Sequence, residues 1–172
     1  MPIEKTRLFR RGIGRNIAAR STEADWIWFA DCDVVFHEGA LDAAGRVLRG
    51  RDDFLVFPTE HKVTDLLEGD DPILRATGSR ADDELRLMDI EKERFVPEIR
   101  KKAVGAFQIV RGDVARAGGY CGTIDFYQQP LQRWQKTYED RAFRWLLGTQ
   151  GTPVQIAGLY RIRHIAKGRK TG

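Results

Sequence analysis

Apolar residues in this chain gather in short runs that alternate with segments of helical spacing. Gly12 to Thr22 is predicted as a helix with Ile13, Ile17 and Ala18 facing inward. The unbroken run Trp26-Ile27-Trp28-Phe29-Ala30 then predicts a strand with both faces apolar, as in a sheet covered by helices on each side. Val34-Val35-Phe36 leads through His37-Glu38-Gly39 into a helix from about Ala40 to Leu48, and Phe54-Leu55-Val56-Phe57 is a second buried strand closed by Pro58. Thr6 to Phe9 reads as a further short strand. Strand, helix, strand is the repeating unit of an α/β fold.

The pattern then changes. Residues 59–98 are polar and acidic, with a turn at Gly69-Asp70-Asp71-Pro72 and an exposed helix near Asp82 to Glu93, and predict an excursion or lid rather than core. Val104 to Val110 is another strand, Arg111-Gly112-Asp113 opens a short helix that ends in the turn Gly118-Gly119, and Cys121 to Gln129 reads as a loop. A helix from about Glu139 to Leu147 precedes short strands near Val154 to Ile156 and Leu159 to Ile162. The expectation is a single domain over 1–172, made of a helix and strand region (1–58), the acidic excursion (59–98) and a last region (99–172).

A length of 172 residues fits one domain by the usual prior of roughly 150 residues, and the chain is long enough to bury a core. Hydrophobic content of 42% and charged content of 31% suit a globular protein, and no apolar stretch approaches the ~20 residues of a membrane span. Met1-Pro2-Ile3-Glu4-Lys5 lacks an apolar signal core, so a cytoplasmic location is expected. Cys32 and Cys121 have neither zinc-site nor disulfide-framework spacing and are expected to be reduced. The net charge of +4 hides an asymmetry: residues 60–98 hold 12 acidic and 6 basic residues, leaving 13 acidic and 23 basic for the flanks. Basic flanks attract anions. No recognition helix, finger or ribonucleoprotein motif accompanies them, so no nucleic-acid partner is expected.

Chemistry concentrates at Asp31-Cys32-Asp33, two carboxylates one residue apart at the end of the apolar run. Ligands of open α/β sheets bind at such strand ends, and hard cations such as Mg²⁺ and Mn²⁺ take oxygen ligands while keeping positions open for phosphates. The pairs Asp52-Asp53, Asp70-Asp71 and Asp82-Asp83 lie in polar surroundings instead. An EF-hand does not fit, because Val35 and Phe36 stand where an oxygen ligand and a turn glycine are needed. Glu139-Asp140 opens a helix, where carboxylates are favoured by the dipole in any protein and where an ionised carboxylate also suits a general base. His164, following a strand among Arg161, Arg163 and Lys167, is either a surface residue or a late metal ligand.

Three segments in order carry a resemblance. Gly14-Arg15-Asn16-Ile17-Ala18-Ala19-Arg20 with Asp25-Trp26-Ile27-Trp28-Phe29-Ala30-Asp31-Cys32-Asp33 resembles the stretch through the DxD motif of GT-A glycosyltransferases of the family 2 type. Val104 to Val114 with Ala117-Gly118-Gly119-Tyr120 is similar to the "GGfxxxRRedfxxvGGFde" segment of their galactosyltransferase-like half, and Tyr138-Glu139-Asp140-Arg141-Ala142-Phe143-Arg144 to their "ED" helix. The resemblance implies a GT-A-like mixed sheet flanked by helices. It also implies metal-dependent transfer of a sugar from a nucleotide-diphosphate donor to a glycan or other hydroxyl acceptor, with inversion. Asp31, Asp33 and His164 would hold Mn²⁺ or Mg²⁺; Arg15, Asn16, Asp31, Gly105 and Ala106 would line the donor site; Asp140 would be the base with Glu139 beside it at the acceptor; Trp134 and Tyr138 would flank the acceptor.

The chain departs from that pattern at its start, where the family's opening "vSvvIpTyNr" strand and "vvDdgS" strand have no counterpart, so an N-terminally truncated fold is expected, with a partner chain as one source of the missing unit. Arg141 and Ala142 also replace an acidic residue usual after "ED". Two other readings stay open. A haloacid dehalogenase type phosphatase also ends a strand in DxD, although Arg111-Gly112-Asp113 is followed by Val114, Ala115 and Arg116 rather than by its second acidic residue. A non-catalytic module or scaffold binding a nucleotide sugar or glycan is the other.

Overall fold

The computed structural model describes residues 4–37, 39–74, 91–133 and 137–164. They form an α/β protein with two mixed four-stranded sheets flanked by helices, divided into two compact units. The first unit comprises 1–31, 48–58 and 100–154; the second comprises 32–47, 59–99 and 155–172. None of the helices among the described residues is long and apolar enough to cross a membrane.

The first unit opens with one helical turn, α1 (Lys5–Leu8), followed by α2 (Arg11–Ser21). The strand expected at Thr6 to Phe9 is therefore absent; local bonds from Arg7 N to Glu4 O (2.9 Å) and Arg10 N to Arg7 O (3.2 Å) satisfy this backbone instead of a sheet partner. In α2 the buried face is Gly12, Ile13, Arg15 and Ala19, so Ala19 rather than Ala18 turns inward. Strand β1 (Trp26–Phe29) pairs antiparallel with β6 (Gln108–Arg111), which pairs antiparallel with β3 (Leu55–Pro58), which pairs in parallel with β7 (Thr152–Val154). The order is β1-β6-β3-β7. β3 is buried at all four positions, as its apolar run predicts. β1 is an edge strand with only Phe29 buried, which corrects the expectation of a strand covered on both faces. Residues 104–107, expected as strand, instead turn through a Phe107 N to Val104 O bond of 2.7 Å.

Helix α4 (Gly112–Gly118) follows β6 directly and stops at Gly119, whose φ of 64° is left-handed. Glycine is needed there, because a Cβ would also collide with Asn16 Oδ1. The loop expected after it contains one helical turn, α5 (Asp125–Gln128), and α6 (Glu139–Leu146) matches the predicted helix. Phe29, Tyr120 and Phe143 form the aromatic centre of this unit: Tyr120 stacks on Phe143 with centroids 4.5 Å apart, and Phe29 meets Tyr120 edge-on at 4.7 Å. Each buried ring of this kind contributes about 1.5–3 kcal/mol by area, with ~0.5–1.5 more from the paired geometry. The consequence is positional: Phe29 lies two residues before Asp31, and Phe143 lies three after Asp140.

The second unit holds β2 (Val34–Phe36), α3 (Ala40–Leu48, up to Val47), β4 (Glu60–Leu66), β5 (Phe95–Ile99) and β8 (Leu159–Arg163), in the sheet order β2-β8-β4-β5. The segment 59–98, expected as an excursion or lid, thus supplies two strands of a sheet at its ends. Val63, Leu67, Ile73 and Phe95 are buried there, and Phe95 meets Tyr160 edge-on at 5.2 Å. Most of the helix expected near Asp82 to Glu93 lies outside the described residues; its last part, Lys92–Arg94, is a single 3₁₀ turn.

Candidate functional site

Asp31 leaves the end of β1, and α2 presents Arg11 and Arg15 to it from one face, as residues four apart on a helix do. Arg11 Nη1 donates to Asp31 Oδ1 at 2.9 Å and Arg15 Nη2 donates to the same oxygen at 2.7 Å. Burial works against the Arg11 charge, yet the carboxylates of Asp31 and Glu139 hold its pKa above the ordinary value. The other oxygen of Asp31 lies by Gly105: a Cβ built on Gly105 would sit 3.7 Å from Asp31 Oδ2, 3.9 Å from Arg11 Nη1 and 3.9 Å from Asp140 Cβ. Gly105 therefore leaves open the space beside the carboxylate at the end of β1 and the Cβ of Asp140 in the first turn of α6. Asp140 is partly exposed, and its Oδ2 accepts from Arg144 Nη1 at 3.3 Å. Arg144 itself is buried and also donates to the Ala103 carbonyl.

Glu139 was expected beside the acceptor, but its residue exposure is 0%, and neither carboxylate oxygen has a hydrogen-bond partner among the described residues. It lies against the start of α2, with Arg11 Nε 3.8 Å from Oε2. Gly12 makes room for it, since a Cβ there would approach the Tyr127 carbonyl to 2.8 Å and Glu139 Oε1 to 3.2 Å. Asn16 clamps the loop after α4: its Oδ1 accepts from Tyr120 N at 3.0 Å and its Nδ2 donates to Gln128 Oε1 at 3.1 Å. Ala106 is buried, its carbonyl accepting from Trp28 Nε1 at 3.1 Å. Tyr138 caps the start of α6 and is exposed, and Trp134 lies outside the described residues.

In the second unit, Asp33 Oδ2 accepts from Arg161 Nε at 2.9 Å and is ion-paired with its Nη2 at 2.9 Å, while its Oδ1 is buried with no hydrogen-bond partner among the described residues. The Asp33 carbonyl accepts from Ile162 N at 2.8 Å, so the antiparallel register of β2 and β8 carries exposed His164 toward the end of the sheet from which β2 starts. Among the described residues no three His, Cys, Asp or Glu side chains are grouped to hold a metal. A separate cavity of about 470 Å³ in this unit is lined by Arg46, Lys62, Gln155 and Tyr160 and includes none of the residues singled out from the sequence.

Sequence reasoning missed Arg11, Gln108, Tyr120 and Arg144. The only signal for Arg11 is its helical spacing from Arg15; the others are joined to the site by long-range packing. Compared with models of protein families, with curated proteins and with solved structures, the chain matches none.

Proposed function

We propose that this chain is a GT-A-like glycosyltransferase domain that moves a sugar from a nucleotide-diphosphate donor to an acceptor hydroxyl. The observation that carries the reading is that Asp31 Oδ2 and Asp140 Cβ both lie within 3.9 Å of where a Cβ on Gly105 would sit, with two guanidiniums on Asp31. A transfer of this kind needs positive charge where the diphosphate departs and an ionised carboxylate where the acceptor proton leaves. Arg11 and Arg15 supply the first. Asp140 supplies the second, its Oδ2 lying 3.3 Å from Arg144 Nη1. Glu139, being buried, supports α6 rather than touching the acceptor.

In the first unit Asp31, whose Oδ1 is fixed by arginine as metal-ligating carboxylates typically are by a second partner, would be the ligand for the Mn²⁺ or Mg²⁺ that the resemblance implies, and the cation would neutralise charge on the diphosphate oxygens. The alternative, a non-catalytic module that binds the nucleotide sugar, is favoured by one feature: two guanidiniums already compensate the Asp31 charge without a metal.

Calorimetric titration with uridine, guanosine and thymidine diphosphates, with and without Mn²⁺, tests the reading. The expected result is Mn²⁺-dependent binding of at least one of them, weakened about tenfold or more by Asp31→Asn. Absence of binding by all three, with or without Mn²⁺, overturns it. Release of nucleoside diphosphate from the matching nucleotide sugar, lost in Asp140→Asn while binding persists, separates transferase from binding module.

A further inference from the structure

An unbroken line of hydrogen bonds inside the first unit joins the Asp31 carboxylate to the main-chain carbonyl of Asp140. Arg15 Nη2 donates to Asp31 Oδ1 at 2.7 Å, and Arg15 Nη1 donates to the Tyr120 hydroxyl at 3.0 Å. The Tyr120 hydroxyl donates in turn to Gln108 Oε1 at 2.8 Å, and Gln108 Nε2 donates to the Asp140 carbonyl at 3.1 Å. Four elements and one loop meet along this line: the end of β1, α2, the loop after α4, β6 and the first turn of α6.

We infer that Tyr120 and Gln108 are positioning residues that, with Arg15, form a hydrogen-bonded spacer fixing the Asp31 carboxylate relative to the Asp140 main chain at the start of α6. The chemistry of each member suits that role. The Tyr120 hydroxyl is the pivot, accepting from a guanidinium and donating to an amide, so both of its directions are used. Gln108 is the residue that can accept from Tyr120 with one end of its amide and donate to Asp140 with the other. Both residues are fully buried, at 0% exposure, where a polar side chain left unpaired costs about 1–3 kcal/mol. Their presence in an otherwise apolar core is therefore tied to the partners they join. Burial keeps the Tyr120 phenol protonated far above its ordinary range, although the Arg15 charge works the other way, so the pivot stays a donor at any working pH. Packing holds the same line: the Tyr120 ring stacks on Phe143, one helical turn beyond Asp140.

The purpose given to the spacer rests on the transferase reading above, but its existence can be tested without any ligand. The side-chain amide of Gln108 and the carbonyl carbon of Asp140 are observed by NMR in the full chain. Asp31→Asn, which removes the charge at the far end, is expected to shift both signals, and the shift is expected to vanish when Tyr120→Phe breaks the pivot. Gln108→Glu is the second variant. It retains an acceptor for Tyr120 but loses the donor to Asp140, so Asp31→Asn in this background should leave the Asp140 carbonyl unmoved. Unchanged Gln108 and Asp140 signals in Asp31→Asn, or the same shifts with and without the Tyr120 hydroxyl, overturn the inference.

The functional arm uses release of nucleoside diphosphate from the nucleotide sugar found to bind. Gln108→Glu is expected to lower kcat about tenfold or more, as misplacement of a reacting group does, with KM for the donor within about twofold. A parallel rise in KM with kcat unchanged also overturns it. If no nucleoside diphosphate binds while the NMR coupling is present, the transferase reading falls and the spacer stands; if binding is present without the coupling, the spacer falls alone.

Discussion

Arg15 closes on Asp31 with a 2.7 Å guanidinium to carboxylate hydrogen bond, the two side chains being 10% and 19% exposed. Arg11 reaches the same oxygen at 2.9 Å but is 39% exposed. The two arginines are thus unequal. A charge pair mostly withdrawn from water is costly to break, because the survivor is left desolvated, whereas an exposed pair is exchanged for water at little cost.

Arg15→Met is therefore expected to destabilise the first unit by about 2–4 kcal/mol, since it leaves Asp31 with only its more exposed partner and the Tyr120 hydroxyl without its donor. Arg11→Met takes a half-exposed partner from Asp31 but also the guanidinium 3.8 Å from buried Glu139, and should cost about 1–2 kcal/mol, less than Arg15→Met. Urea unfolding followed by circular dichroism checks both, and equal midpoints for the two variants would contradict the unequal burial.

Much of this arrangement is legible in the sequence, and the exceptions have physical causes. The helices at Ala40–Leu48 and Glu139–Leu146 follow from apolar spacing, and β3 from an unbroken apolar run bounded by proline. The positions of Asp31 at a strand end and Asp140 in a first helical turn are local facts, and both were readable. β4 was hidden because His61 and Thr64, polar by type, occupy buried positions beside Val63, so the stretch reads as solvated. The edge position of β1 depends on pairing with β6, more than 70 residues away in the chain, which no local pattern encodes. Arg15 illustrates the same limit: an arginine on a predicted helix reads as surface until Asp31, Tyr120 and Phe29 are brought around it.

The two thiols should differ sharply in reactivity. Cys32 is exposed, while Cys121 is buried with a left-handed φ of 53° and its thiol donates to the Glu139 carbonyl at 3.4 Å. Burial, followed by the charges of Glu139 and Asp140, pushes the Cys121 thiol up to about 12. Near pH 8 its thiolate fraction is on the order of a thousandfold below that of an ordinary thiol, so an aromatic disulfide reagent should label one thiol quickly and the second only on unfolding. The sign for stability follows: above the unfolded value of about 8.5 the unfolded chain loses a proton that the folded chain keeps until about 12, so stability falls across that window and Cys121→Ala should flatten the decline.

Acid acts through Asp53. The Thr152 hydroxyl donates to it at 2.6 Å and Arg51 Nε at 2.8 Å, and these bonds, the threonine's first, hold its pKa below the ordinary carboxylate value. A lowered folded pKa contributes stability that is present above the unfolded value of about 3.9 and is lost as pH falls through the folded one. Thr152→Val should shrink that acid limb, by less than about 1 kcal/mol because the group is largely solvated. Thermal melts from pH 6 down to pH 2 measure it; the gap between the proteins should close toward pH 2, and a gap equally large at pH 2 and pH 6 would mean the threonine acts through packing instead.

Gly105 provides the sharpest separation of site from scaffold. It lies outside the left-handed residues, and a Cβ on it would meet nothing closer than 3.7 Å, so Gly105→Ala should fold with stability within about 0.5 kcal/mol of the parent. A longer apolar side chain at that position grows into the space bounded by Asp31 Oδ2, Arg11 Nη1 and Asp140, where the donor is proposed to lie. Gly105→Leu is therefore expected to weaken Mn²⁺-dependent binding of the nucleoside diphosphate about tenfold or more while the urea midpoint stays close to that of Gly105→Ala. Calorimetry on the two variants reads this directly. Full binding by Gly105→Leu would remove the ligand from the space beside Asp31 and Asp140, and equal loss in both variants would assign the effect to the backbone rather than to the occupied space.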